Sequence, residues 1–229
     1  MRTELLIGAG VLGLGLVLVL VFALRGPEEK ALGPKSAPLE LARPRRVAVT
    51  ASGHLVISDP GAQRVFLLRD QRLTVLAGTG KACKQACCDD RPDATATDLS
   101  SPADVAVEPD GGLLIANARA GCVLRLGHGG AVERFAGRGG GGPSRSGAAP
   151  GDGDGAVDAS LDGPEGLALW PSHGVLIAER GGCRVRLVRS DGVMETVAGT
   201  GVCGFGGDGG AASDAQVNGP SGVAVRPGG

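Results

Sequence analysis

Few residues of this chain have the type and spacing to do chemistry. Six are cysteines, Cys83, Cys87, Cys88, Cys122, Cys183 and Cys203, and the crowded run Cys83-x-x-x-Cys87-Cys88 suits either a small disulfide ring or a metal loop. Zinc would require further thiolate or imidazole ligands at defined spacing, and none follows, so a disulfide among Cys83, Cys87 and Cys88 is the expectation. Cys122 and Cys183 fall one register apart in strands of different repeats. They are expected to point to opposite faces, not to pair with each other, and to be buried free thiols. Asp59, Asn117 and Glu179 each close a short apolar run. They either ring one end of the fold and hold a cation or accept backbone N–H groups in their own turns, and their regular recurrence favours the second role.

The other chemical candidates are weaker. Asp152-Gly153-Asp154-Gly155 opens like a calcium loop, yet Ala156-Val157 follows where a third acidic ligand would stand, and the distal Glu is missing. His54, His128 and His173 lie in separate turns, which gives neither an acid–base pair nor a zinc set. No catalytic, cofactor-binding or metal-ligating residue is therefore assigned, and no cofactor is expected. Arg64, Arg184 and Arg186, with Arg125 and Arg189 near them, mark third strands, where rows of positive charge usually keep an edge solvated. Arg64, Arg184 and Arg186 form the one candidate surface for an acidic partner.

These residues must be positioned by a repeat. Pro102-Ala103-Asp104-Val105-Ala106-Val107, Pro164-Glu165-Gly166-Leu167-Ala168-Leu169 and Pro220-Ser221-Gly222-Val223-Ala224-Val225 open successive units, with a weaker copy at Pro44-Arg45-Arg46-Val47-Ala48-Val49. Each complete unit then reads as a second apolar run, a third, and a fourth ending in Ala-Gly, separated by turns rich in Pro, Asp and Gly. That is a four-stranded meander. Meanders repeated in this way bury their faces by stacking around an axis, so the expectation is an all-β propeller, with repeats at about 44–101, 102–163 and 164–219 and a partial one at 220–229. Glycine- and aspartate-rich linkers join the blades.

The stretch Val197-Ala198-Gly199-Thr200-Gly201-Val202-Cys203-Gly204-Phe205-Gly206-Gly207-Asp208-Gly209-Gly210-Ala211, continuing through Asn218-Gly219-Pro220-Ser221-Gly222-Val223-Ala224-Val225, resembles an NHL repeat. Ala77-Gly78-Thr79-Gly80 and residues 102–117 extend the likeness over 43–229. The resemblance implies a β-propeller of four-stranded blades, usually six, acting as a platform for proteins, RNA or glycans. A lesser likeness, through the long linkers and the Cys83 to Cys88 loop, is to the teneurin-type NHL propeller. Three repeats and the start of a fourth are fewer than a closed ring needs. The chain is thus expected to be part of a longer product, or to close a ring with a second copy as a homodimer.

From Leu5 to Leu24 the chain is uncharged and almost wholly apolar, between Arg2 and Arg25, long enough for a transmembrane helix. Residues 1–24 are expected to serve as a signal-anchor or a cleaved signal peptide, and the proline-spaced residues 25–42 as a linker. The balance of 23 Lys+Arg against 24 Asp+Glu gives a formal charge of -1, with no long-range field for a polyanion, so nucleic acid is not favoured. A single-pass membrane protein with its propeller on the extracytoplasmic side, or a secreted one, follows from the apolar segment and the cysteines. The expected function is a non-catalytic scaffold binding a protein or glycan; the alternative is a propeller hydrolase or lyase with a metal in its channel.

Overall fold

The computed structural model describes residues 39–84, 88–140 and 151–226. The chain divides into two units, Met1–Pro38 and Leu39–Gly229, and all that follows concerns the second. Among the described residues no helix is long and apolar enough to cross a membrane. The apolar segment from Leu5 to Leu24 and Cys87 both lie outside them.

Among the described residues twelve strands form three antiparallel meanders. The first contains β1 (Arg46–Val49), β2 (Leu55–Asp59), β3 (Arg64–Arg69) and β4 (Arg72–Ala77). The second contains β5 (Pro102–Val107), β6 (Leu113–Asn117), β7 (Cys122–Leu126) and β8 (Val132–Ala136). In the third are β9 (Pro164–Trp170), β10 (Gly174–Glu179), β11 (Arg184–Arg189) and β12 (Met194–Ala198). Strand order follows chain order in every sheet, as short turns between antiparallel neighbours require. Only three single-turn 3₁₀ helices interrupt the described linkers and turns, at Ala94–Ala96, Ala118–Ala120 and Ala212–Asp214.

Period-two side-chain alternation explains how the sheets stack. On β6, Leu113 and Ile115 join a core shared with Val56 and Val65 of the first sheet, whereas Leu114 and Ala116 join one shared with Leu167, Val175 and Ile177 of the third. A sheet apolar on both faces must be sandwiched, and each fully buried Leu or Ile contributes about 1.5–3 kcal/mol. These cores are built chiefly of Val, Leu, Ile and Ala, with Phe135 packed against the second and Phe66 fully buried. The innermost strand β5 lies against both β1 and β9, so the sheets radiate from their first strands.

The Ala-Gly that ends each meander has a steric cause. Gly78, Gly137 and Gly199 adopt φ of 99°, 82° and 90°. A Cβ there would stand 2.3, 2.5 and 2.5 Å from the carbonyl oxygens of Gln63, Gly121 and Cys183. Beside each glycine the pairing of the third and fourth strands shifts register by a bulge. The glycine N–H then bonds back to the linker, to the carbonyls of Ala94, Ala156 and Ala212 at 2.9, 2.8 and 2.9 Å. The linkers are therefore repeated structures as well.

One expected strand is absent among the described residues. Residues 220–226 carry no strand pairing, because no second strand lies beside Val223-Ala224-Val225 to share a ladder. The segment is still placed as a fourth inner element: Arg46 Nη2 donates to the Ser221 carbonyl at 2.8 Å.

Candidate functional site

Asp59, Asn117 and Glu179 all end the second strand of their sheets, and all face inward to the backbone. Asp59 accepts the N–H groups of Ala42, Arg43 and Ala62 at 2.6, 2.9 and 2.9 Å. Asn117 Oδ1 accepts from Ser100 N–H at 2.6 Å, and Glu179 Oε2 accepts from Asp162 N–H at 3.3 Å. In every repeat the polar end of strand two thus holds the segment that enters strand one. Ala62 is in the aspartate's own turn, but the remaining donors belong to the incoming chain, a partner set that turn chemistry alone does not anticipate.

Arg64, Arg184 and Arg186 act as clamps within the fold rather than as one surface. Arg64 and Arg184 occupy the same register, opposite Asp59 and Glu179, and each sends Nη2 to a carbonyl just beyond its Ala-Gly, Thr79 at 2.7 Å and Thr200 at 3.0 Å. Arg184 is 3% exposed and Arg186 0%. Arg186 reaches Glu179 at 3.1 Å and Asp152 at 2.6 Å. The candidate surface through Arg64, Arg184 and Arg186 is not formed as expected: Arg184 and Arg186 are buried on carbonyls and carboxylates inside the fold, and only Arg64 is half-buried. Burial pushes the Glu179 carboxyl above its ordinary range, and Arg186 pulls it part of the way back.

The cysteines depart from expectation in part. Cys88 is bonded to Cys122, Cys183 to Cys203, and Cys83 is disulfide-bonded too. Cys122 and Cys183 do not pair with each other, but neither is a free thiol. Each linker folds back over the start of a third strand, which brings Cα atoms to 6.1 Å and 5.2 Å in the two pairs. Cys122 stands in the register that Arg64 and Arg184 fill elsewhere, so a covalent tie replaces a guanidinium clamp in the second sheet.

His54 and His173 stay in their turns, His54 beside Ser52 at 2.8 Å and His173 stacked on Trp170 with centroids 4.3 Å apart. His128 packs near Gly111. Asp152 is taken up by Arg186. Among the described residues no three His, Cys, Asp or Glu side chains are grouped to hold a metal ion.

What converges instead is the pair of residues following each repeat's proline. Glu165 of β9 receives Arg45, just before β1, at 2.5 Å and Arg180 at 3.5 Å. Asp104 of β5 receives the Val105 and Leu167 N–H groups at 2.8 and 2.9 Å. Burial raises its carboxyl pKa, opposed by these N–H bonds and by Arg46 and Arg45. Arg45, Arg46, Asp104, Glu165, Arg180 and the Ser221 carbonyl together form the mouth of the axis. In the sequence these positions mark the start of each repeat, and nothing local says what their side chains meet. The available signal was variation: Arg45-Arg46, Ala103-Asp104, Glu165-Gly166 and Ser221-Gly222 differ at one repeated place while the flanking apolar residues keep their pattern.

A cleft of about 770 Å³ lies between the second and third sheets at their other end, lined by Phe135, Leu169, Trp170, Arg125 and Arg189 among others. Two of its three arginines are neutralised in place: Arg125 pairs with Glu108 at 2.8 Å and Glu133 at 3.6 Å, Arg189 with Asp191 at 2.5 Å and Glu195 at 3.8 Å, while Arg134 donates to the Arg138 carbonyl at 3.3 Å. Arg125 also covers the Phe135 ring at 4.6 Å. Of the two places, the mouth is the one to which several repeats bring ionic groups.

Three four-stranded meanders, stacked face to face with their first strands innermost and bridged across those strands, decide the architecture. The fold is a β-propeller. No protein-family model matches the chain. No curated protein matches it either. Solved structures do: an auxiliary nutrient binding protein from Bacteroides thetaiotaomicron VPI-5482 is 18% identical over 77% of this chain and 41% of its own, with a TM-score of 0.53. A structural genomics protein of unknown function from the same organism is 17% identical over 78% and 41%, with a TM-score of 0.52. A gluconolactonase from Xanthomonas campestris is 18% identical over 81% and 54%, with a TM-score of 0.50. The propeller thus spans about two fifths to just over half of these neighbours' lengths. At such identities the likeness speaks to fold alone.

Proposed function

We propose that this chain is a non-catalytic propeller of NHL type that binds a protein or glycan at the mouth of its axis, on the extracytoplasmic side of a membrane or released from it. The observation that carries this reading is the state of the mouth carboxylates. Both oxygens of Asp104 take backbone N–H groups, and Glu165 is held by two arginines. They serve to build the site. Arg180, whose guanidinium stays largely exposed at a long 3.5 Å from Glu165, is the side chain presented to a ligand. A hydrolase or lyase with a channel metal, the competing reading, needs several uncommitted carboxylates or imidazoles aimed into the channel. The disulfides accord with an oxidising compartment, and the regular linker bonds after each Ala-Gly accord with the NHL likeness.

The test is to probe the full chain against arrays of glycans and extracellular protein domains, in parallel with an Arg180→Glu variant. Saturable binding weakened about tenfold or more by that substitution supports the proposal. Metal-dependent turnover of a lactone by the full chain, or binding indifferent to Arg180→Glu and abolished by Trp170→Ala in the opposite cleft, contradicts it.

A further inference from the structure

Beside the mouth, between the first and second sheets, is a hollow of about 740 Å³ whose walls include Arg43, Arg45, Arg119, Gln63 and Ser101. No carboxylate lines it. Arg45 is engaged by Glu165, and Asp59, which lies behind Arg43, is fully buried with its oxygens on three backbone N–H groups. Arg43 and Arg119 are exposed, and neither forms an ion pair with any described residue. Like charges gathered in a concavity repel one another unless an anion is supplied, and guanidinium forks match the geometry of phosphate and sulfate oxygens.

The floor of the hollow is held in shape. Ser101 N–H donates to Gln63 Oε1 at 2.7 Å. Both residues take positive φ, 59° and 53°, a cost of about 1–3 kcal/mol each that the surrounding contacts must sustain. At the position of Ser101 the other repeats have glycine, Gly163 and Gly219, at φ of 62° and 57°. The second sheet thus places a hydroxyl-bearing residue where glycine would be less strained, and does so at the wall of the arginine hollow.

We infer that this hollow is a binding site for a tetrahedral oxyanion, the phosphate or sulfate ester group of a small ligand, received by Arg43 and Arg119. The inference rests on the reading of this end of the propeller as its ligand-binding end, and adds the chemical class. It is tested on the full chain by isothermal titration with inorganic phosphate and inorganic sulfate at constant ionic strength. An Arg43→Gln/Arg119→Gln double variant is compared with Arg69→Gln/Arg72→Gln, which removes the same charge from the exposed hairpin of β3 and β4. Saturable binding of either anion, weakened about tenfold or more in the first variant and unchanged in the second, is the expected result. Glucose 6-phosphate and glucose 6-sulfate then distinguish the source, the tighter one naming the ester. No saturable binding, or equal loss in both variants, overturns the inference. Phosphate binding by a chain that binds nothing on the arrays would retain this site and remove the proposed function. Array binding sensitive to Arg180→Glu without any phosphate binding would do the reverse.

Discussion

At the scale of single residues, the most demanding group is Arg186, wholly buried between Glu179 and Asp152. A buried pair is costly to break from one side, because the partner is left charged without water. Arg186→Met is expected to cost about 3–5 kcal/mol in denaturant unfolding, and Arg186→Met/Glu179→Leu much less. The sign of the pH effect follows from the raised carboxyl of Glu179. The folded state holds that proton more tightly than the unfolded chain does, so this group's contribution is most favourable at acid pH and is lost as pH rises through the raised pKa. With Arg186 replaced, the opposing attraction is gone, and the defect of the Arg186→Met variant should be larger at pH 7.5 than at pH 4.5. An equal defect at both would show that Glu179 is not the group left stranded. Part of this is legible in the chain: the recurrence of Asp59, Asn117 and Glu179 points to backbone acceptors, but in their own turns, whereas only Ala62 on Asp59 is such a donor and the others come from the incoming chain. That Arg184 and Arg186 turn inward was not, since an alternating strand has two faces and local pattern does not say which one another sheet covers.

Elements are held by two kinds of tie at the start of the third strand, a guanidinium on a linker carbonyl or a disulfide to a linker cysteine. The Cys88–Cys122 bond spans 34 residues and Cys183–Cys203 spans 20. Loop-closure entropy gives about 4 and about 3 kcal/mol for them, so Cys88→Ser should lower thermal stability somewhat more than Cys203→Ser does. The Ala-Gly position offers a sharper steric test. Gly53, with φ of 80° and open space about it, should tolerate Ala for about 1–2 kcal/mol. Gly199→Ala meets the Cys183 carbonyl at 2.5 Å as well, and its unfolding midpoint should fall distinctly further. Strand positions and the four-strand unit were readable from alternation and turn residues. The pairing of Cys88 with Cys122 was not, because it depends on the path of a glycine-rich linker whose composition fixes no conformation.

For the molecule as a whole, the feature that separates a propeller from a linear stack is contact between repeats that are not neighbours. A solenoid repeat touches only the next one, whereas curvature around an axis brings the first and third together. Arg45 and Glu165, 120 residues apart, meet at 2.5 Å, and Arg46 and Ser221 meet across 175. Composition and periodicity led to the fold but not to this contact, since the residues after each proline look unremarkable until the repeats are bent into an arc. The most direct test is a charge-reversal cycle of Arg45→Glu, Glu165→Arg and the double variant, followed by denaturant unfolding of the full chain. The arrangement predicts that each single reversal destabilises and that the double recovers part of the loss, with a coupling of about 0.5–3 kcal/mol. Strictly additive losses would mean that the first and third repeats do not meet, and would contradict the propeller.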